Sequence, residues 1–224
     1  LDDSVRHAMT KLSHLHYVTN SDSYQRVLSM GEEKWRTHLV GYPAIDLIDN
    51  EEYINAMVNS IRPYVENKSY DKIIFSYHGI PKRQAKKTDE TGEHCFSTSN
   101  CCEIENDGSK DCYRSHTRIA SDLTAKKLGL EDDQWEIAYQ SRIGPGWLTP
   151  FTDKRLAKLP EEGKDNIAIL CPSFISDCLE TLEEIDIRGR ETFLKAGGKK
   201  MTYIPCLNDS EDTINLLENL VRAS

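Results

Sequence analysis

A histidine lies directly before a glycine in a polar segment that follows one of the apolar runs of this sequence. His78 comes at the end of the apolar run that begins at Lys72, and Gly79 follows it directly. Imidazole has an ordinary pKa near neutrality, and a glycine lets a ligand approach the backbone closely. The pattern indicates a general base, although a histidine that only hydrogen bonds within a loop has the same appearance.

Carboxylates recur along the helix that we predict after the third apolar run of the sheet. At about 100° per residue, four of them fall within a sector of about 60°, and these are Asp177, Glu180, Glu184 and Glu191. An exposed acidic face explains such a stripe, because like charges at helical spacing cost only about 0.2–0.5 kcal/mol per pair. The stripe begins just beyond the predicted end of a strand, where sheets of this kind bind ligands. This position favours a role in proton relay or in the transfer of a hard divalent cation.

Four of the seven cysteines fall in one window that has no helix or strand pattern, namely Cys95, Cys101, Cys102 and Cys112. Adjacent cysteines fit poorly to the paired spacing of structural zinc sites, whereas iron–sulfur clusters take four thiolates at varied spacing. An iron–sulfur cluster, a zinc site, and inert or redox thiols are the alternatives. Without a secretion signal, the reducing cytoplasm is the expected compartment.

Length and charge narrow the classes of function. The 224 residues suffice to bury a core without disulfides. The 28 Lys and Arg residues against 37 Asp and Glu residues give a net charge of −9, and no basic stripe is present, so no nucleic-acid partner is expected. The longest apolar stretches are far shorter than the roughly 20 residues of a membrane helix.

The elements that must position these groups alternate between strands and helices. Apolar runs predict four strands, at Lys72–Tyr77, Trp135–Tyr139, Asn166–Cys171 and Lys200–Ile204. Helical patterns fill the intervals, and another helical stripe runs from Ile54 to Val65, where we expect Pro63 to kink or end it. This order predicts an α/β fold with a doubly wound parallel sheet, preceded by a helical amino-terminal segment. Ligands of such sheets bind beyond the carboxyl ends of the strands.

Together, the motifs resemble the carboxyl-terminal part of a ferrochelatase. The resemblance runs from about Asp71 to Asp209, with a weaker match at Tyr53-Ile54, and rests on the segments Ser76-Tyr77-His78-Gly79-Ile80-Pro81, Tyr139-Gln140-Ser141-Arg142-Ile143-Gly144-Pro145, Trp147-Leu148, Cys171 to Glu184, and Pro205 to Asp209. It implies a chelatase-like, Rossmann-type half of an enzyme that inserts ferrous iron into protoporphyrin IX in heme biosynthesis. Such enzymes hold the macrocycle between two similar α/β halves.

The resemblance also implies roles for individual residues. His78 would take the pyrrole protons or meet the metal, and Glu180 and Glu184 would relay protons or iron, with Glu180 as a second contact of the substrate iron. The porphyrin pocket would include Tyr77, Ser141, Arg142, Trp147 and Pro172. The cysteine window resembles the insertion of those ferrochelatases that carry a 2Fe-2S cluster, which would make Cys95, Cys101, Cys102 and Cys112 its ligands.

The same comparison suggests a domain division and leaves rival functions open. Residues 1–65 are expected to be the tail of a truncated first domain with linking helices, and 66–224 a chelatase domain with a cysteine-rich loop at 88–113. Because the sequence begins at Leu1, we expect a piece of a longer protein. The rivals are a chelatase for coproporphyrin or cobalt, and a non-catalytic module that handles an Fe–S cluster or heme. Peripheral membrane contact stays open, because tetrapyrroles partition into lipid.

Overall fold

Parallel strand pairing organises both parts of the chain in the computed structural model. The structure describes residues 2–18, 21–40, 50–89, 91–103 and 108–223. Two units are distinguished, Leu1–Leu47 and Ile48–Ser224. The helix Glu51–Val65 packs on helices of the second unit, and the domain division after residue 65 stays a prediction.

The first unit contains two short parallel strands and two helices. Its elements are α1 (Asp2–Leu12), β1 (His16–Val18), α2 (Ser21–Ser29), a 3-10 turn (Lys34–Arg36) and β2 (Thr37–Leu39). His16 lies opposite Thr37 in the strand pair. The buried Glu32 carboxylate accepts hydrogen bonds from Lys11 Nζ at 2.8 Å and His16 Nε2 at 3.1 Å, which ties α1 to β1.

The second unit alternates strands and helices as predicted. Its elements are α3 (Glu51–Val65), β3 (Lys72–His78), α4 (Lys82–Lys87), a 3-10 turn (Cys101–Glu103), α5 (Tyr113–Leu128), β4 (Trp135–Gln140), α6 (Thr152–Lys158), a 3-10 turn (Leu159–Glu162), β5 (Asn166–Leu170), α7, β6 (Lys200–Tyr203) and α8 (Glu211–Ala223). Helix α7 consists of an α-helical turn (Leu179–Thr181), a π-helical segment (Leu182–Gly189) and an α-helical end (Arg190–Lys195).

The four strands of this unit form one parallel sheet in the order β4-β3-β5-β6, which confirms the α/β prediction. Helices cover both faces. On one face, the Ser76 hydroxyl lies 2.8 Å from that of Thr152 in α6, and on the other, Tyr77 Oη lies 2.9 Å from Ser121 Oγ in α5. Both pairs are buried, so the sheet is enclosed on both sides, as a doubly wound sheet requires.

The core under α6 and α7 is apolar and closely packed. Ile74, Ile167 and Ile169 of the sheet meet Leu156 and Phe193 of the helices, and all five are fully buried. Burying such side chains contributes about 1.5–3 kcal/mol each to the free energy of folding. The core therefore fixes α7, and with it the carboxylates at its start, against the sheet.

Helix ends follow local chemistry. Helix α5 ends at Gly129, which adopts the left-handed conformation at φ 70°, as the sequence predicts. Helix α3 continues two residues beyond Pro63, because the proline lies in its last turn, and it ends at Val65.

Within the described part of the chain, no helix combines the length and the hydropathy of a membrane span.

Candidate active site

Three parallel strands bring their carboxyl ends together around His78. The strand register places His78 opposite Gln140. The backbone N–H of His78 donates to Ser173 Oγ at 2.8 Å, and the N–H of Gly79 donates to the Gln140 carbonyl at 2.8 Å. The segment that follows β5 and the end of β4 therefore both hold the backbone that carries the histidine.

The half-buried ring of His78 is oriented by its own backbone. Nδ1 lies 2.7 Å from the carbonyl oxygen of Gly79, which can only accept, so Nδ1 carries a proton and, in the neutral ring, Nε2 carries the lone pair. The Phe174 ring lies alongside, with 6.1 Å between the ring centroids, and Tyr113 Oη donates to the His78 carbonyl at 2.8 Å. This arrangement presents Nε2 as a base.

Gly79 is required by close packing. A Cβ atom at this position would lie 2.8 Å from the Gln140 carbonyl and 3.3 Å from the Trp147 ring. The turn that contains Trp147 pairs antiparallel with Pro81, and the Leu148 N–H donates to the Ile80 carbonyl at 3.0 Å. The structure thus brings the predicted site residue Trp147 against the backbone next to His78.

Glu184 holds the residue that follows β4. Its two carboxylate oxygens accept hydrogen bonds from the N–H and the hydroxyl of Ser141, each at 2.7 Å. Ser141 has φ of 59°, a left-handed conformation that is uncommon outside glycine. The paired hydrogen bonds offset the cost of that conformation, so Glu184 and Ser141 form one unit at the edge of the site.

Gln140 is a functional residue to which sequence reasoning gave no role. It is 2% exposed, and its Oε1 accepts from the Ser76 hydroxyl at 2.8 Å and from the Cys171 thiol at 3.3 Å. Its Nε2 donates to the backbone carbonyl of Glu180 at 2.8 Å. The available signal was one amide at the end of an otherwise largely apolar strand, because a buried amide must find partners.

The surroundings of Glu180 keep its carboxylate ionised. A hydrogen bond from the Cys178 thiol lowers its pKa most, followed by one from its own backbone N–H. Burial acts in the opposite direction, and the positive charge that His78 gains when it takes up a proton lowers the pKa of Glu180 further. His78 and Glu180 are therefore electrostatically coupled.

The acidic stripe predicted along α7 does not form as one surface. Asp177 precedes the helix, and its carboxylate accepts from Asn208 Nδ2 at 2.8 Å and Thr181 Oγ1 at 3.0 Å, as well as from Tyr203 Oη. Glu191 is exposed and pairs with Lys195 at 3.1 Å. Helical spacing does not apply to Asp177 because it lies before the helix, and the π-helical segment changes the angle per residue between Glu180 and Glu191. Glu180 and Glu184 are the two that the structure joins to the end of β4.

The remaining predicted pocket residues occupy different environments. Tyr77 is buried beneath α5, where burial raises its pKa, and this position makes it a core residue. Pro172 is also buried, and its carbonyl accepts from Tyr53 Oη at 2.8 Å. Arg142 is exposed, pairs with Asp153 at 2.7 Å and lies over the Phe151 ring at 4.3 Å.

The four clustered cysteines lie near one another before α5, and Cys112 caps the start of that helix. Cys101 Sγ lies 3.9 Å from Cys102 Sγ, and it accepts from the Phe96 N–H at 3.4 Å and from Arg114 Nη1 at 3.8 Å. Cys95, Cys101 and Cys112 are buried, and Cys102 is partly exposed. Among the described residues, no three His, Cys, Asp or Glu side chains are arranged as ligands of a single metal ion.

The thiols differ in their acidity. A hydrogen bond from Cys102 lowers the pKa of Cys112 and raises that of Cys102, and the backbone N–H groups of Ser115 and Arg114 also lower the pKa of Cys112. Burial, together with the charges of Cys112 and Cys101, raises the pKa of Cys95 to about 11. Each of the four thiols therefore influences, or is influenced by, the ionisation of a neighbouring thiol.

Comparisons with known proteins agree with the resemblance seen in the sequence. A family model described as Ferrochelatase matches residues 10–224. Curated ferrochelatases from Pseudomonas fluorescens and Stutzerimonas stutzeri are each 41% identical over 174 residues, which is 77% of this chain and 51% of the relative. The ferrochelatase of Opitutus terrae is 42% identical over 175 residues, 78% of this chain and 50% of the relative. The chain spans about half the length of the curated relatives it matches.

Replacing Cys178 tests the electrostatics of this site. Cys178→Ala removes the thiol donor, so the pKa of Glu180 should rise toward the ordinary glutamate value of 4.5. A pH titration of the Glu180 carboxyl carbon by NMR measures the change. Cys178→Ser restores a donor and should restore the low pKa, whereas an unchanged titration in Cys178→Ala would contradict the assignment.

Proposed function

The chain belongs to the ferrochelatase family, and we propose that it carries the proton-accepting and iron-relaying groups of a lyase that inserts ferrous iron into protoporphyrin IX in heme biosynthesis. The single observation that carries this proposal is the orientation of His78. Its Nδ1–H is engaged by the Gly79 carbonyl, which leaves the Nε2 lone pair for a substrate proton.

The reaction explains why a histidine is needed. A neutral porphyrin must lose two pyrrole protons as a divalent cation enters, so the site requires a base that works near neutral pH. His78 has the right chemistry, and its position at the carboxyl end of β3 is where sheets of this kind bind ligands. Fixing Nδ1 on a backbone carbonyl also removes the need to reorganise the ring during proton transfer.

In this proposal, Glu180 and Glu184 have different roles beside the base. Both oxygens of Glu184 are engaged by Ser141, which suits a residue that holds the β4 loop in place. Glu180 has a lowered pKa and is coupled to His78, which suits a relay of protons or of ferrous iron. Carboxylate oxygens bind such a cation loosely enough to release it, whereas thiolates would retain it.

The surroundings of the strand ends suit an apolar macrocycle. Ile143 after β4 is 89% exposed, and Leu179 at the start of α7 is 73% exposed. Large exposed apolar side chains near a site favour a flat hydrophobic ligand, and they also suit peripheral contact with lipid. In this proposal Trp147 and Pro172 border the pocket, and the Arg142 guanidinium exchanges its exposed pair with Asp153 for a carboxylate of the porphyrin.

We further propose that Cys95, Cys101, Cys102 and Cys112 bind a 2Fe-2S cluster. Such a cluster takes four thiolates, two for each iron, and supplies one-electron chemistry and a cross-link. Several features support this ligand set: the sulfur atoms interact in pairs, none of the four is in a disulfide, and N–H groups and the Arg114 guanidinium point at sulfur. The reducing cytoplasm, which keeps thiols free, is the compartment proposed for such a loop.

Replacing His78 tests the proposed base. His78→Asn keeps an N–H that can reach the Gly79 carbonyl and removes the lone pair, so the rate of metalation should fall by about 100-fold or more while porphyrin binding persists. The rate is followed anaerobically by porphyrin absorbance with ferrous iron or zinc, and binding by fluorescence quenching. His38→Asn, in β2 of the first unit, is the matched control. An unchanged rate in His78→Asn would overturn the proposal.

The cluster has its own test. Anaerobically purified protein should show the absorption of a 2Fe-2S cluster, and, after reduction, its EPR signal, with about two irons per chain. Cys112→Ser should lose most of the iron, while Cys206→Ser, outside the loop, should keep it. Zinc in place of iron by elemental analysis, or equal iron in both variants, would contradict the proposed ligands.

A further inference from the structure

The carboxylate of Asp89 organises the beginning of the cysteine loop. Asp89 lies just after α4, it is 7% exposed, and its carboxylate accepts hydrogen bonds from groups within the next six residues. Oδ1 accepts from the N–H of Thr91 at 3.0 Å, from its hydroxyl at 2.6 Å and from the N–H of Gly92 at 3.2 Å. Oδ2 accepts from the N–H groups of His94 at 2.9 Å and Cys95 at 2.7 Å.

These hydrogen bonds connect Asp89 to two of the clustered thiols. The N–H of Cys95 is held by the carboxylate directly, and the N–H of the next residue, Phe96, donates to Cys101 Sγ at 3.4 Å. Each hydrogen bond to a charged acceptor is stronger than one between neutral groups. The backbone that carries Cys95 and contacts Cys101 is therefore fixed by one buried side chain.

The returning arm of the loop packs against the same carboxylate. A Cβ atom at Gly108 would lie 2.8 Å from Asp89 Oδ1 and 2.8 Å from His94 Cβ. Any larger residue at this position would displace the carboxylate or the backbone that it holds. Because Cys112 follows Gly108 by only four positions, the arm with Cys95 and the arm with Cys112 meet at Asp89.

We infer that Asp89 is the positioning residue of the cysteine loop: its carboxylate folds the loop before a cluster is bound and thereby speeds cluster assembly. The inference rests on the proposed assignment of the four cysteines as cluster ligands. A carboxylate beside thiolates is electrostatically unfavourable, because like charges repel. The hydrogen bonds to five donors, and not the charge itself, account for its position.

Asp89→Asn tests the inference with little change in size. The amide has one accepting oxygen in place of two, so one set of donors loses its partner. In the metal-free protein, hydrogen exchange at the Cys95 amide should become faster by about tenfold or more. Anaerobic reconstitution with ferric iron and sulfide, which forms the cluster directly at its diferric level, should slow by about the same factor when followed by absorbance.

Two further variants complete the experiment. Glu93→Gln removes an exposed carboxylate two residues from Cys95. It should leave the rate of hydrogen exchange at Cys95 and the rate of cluster assembly unchanged. In Gly108→Ala, the added methyl group displaces the Asp89 carboxylate from the side of the arm that carries Cys112. Hydrogen exchange at the Cys95 amide should therefore become faster, and this variant still tests the inference if Asp89→Asn does not fold. Equal exchange at Cys95 in the parent, Asp89→Asn and Gly108→Ala proteins would overturn the role of Asp89. A parent that assembles no cluster would overturn the ligand assignment instead, and the exchange data would still decide whether Asp89 folds the loop.

Discussion

The arrangement of the site depends on the buried amide of Gln140. This side chain receives hydrogen bonds from Ser76 in β3 and from Cys171 after β5, and it donates to the backbone of Glu180 in α7. A buried amide left without partners costs about 1–3 kcal/mol for each unpaired group, so the arrangement that satisfies it is strongly preferred. Sheet and helix are therefore fixed relative to each other where the chemistry is proposed.

Around this amide, His78 and the glutamates are held in different ways. The ring of His78 is fixed by an adjacent carbonyl, and its backbone is fixed by Ser173. Glu184 is fully engaged by Ser141, whereas the carboxylate of Glu180 interacts with the Cys178 thiol and with the charge of His78. A rigid base that interacts electrostatically with a less restrained carboxylate is consistent with the proposal that one group removes protons and the other delivers a loosely bound cation.

The sequence predicted those parts of the structure that depend on local pattern. All four strands of the main sheet are observed, because buried parallel strands are continuous apolar runs. The π-helical segment of α7 was not predicted, since its residues have no composition that distinguishes them from an α-helix, and the error misplaced Glu191 relative to Glu180. The roles of Gln140 and Asp89 depend on partners that only tertiary structure or loop geometry brings within reach. The burial of Tyr77 under α5 follows from strand orientation, which its motif did not specify.

Comparing two glutamates of the same helix tests most directly whether Glu180 takes part in metalation. Glu180→Gln removes the relay carboxylate and leaves the backbone carbonyl that Gln140 holds, while Glu183→Gln removes a carboxylate that pairs with Arg188 at 2.7 Å. The initial rate of anaerobic porphyrin metalation should fall by about 100-fold in Glu180→Gln and stay near the parent value in Glu183→Gln, with porphyrin affinity unchanged in both. Equal rates in the two variants would contradict the assignment of Glu180.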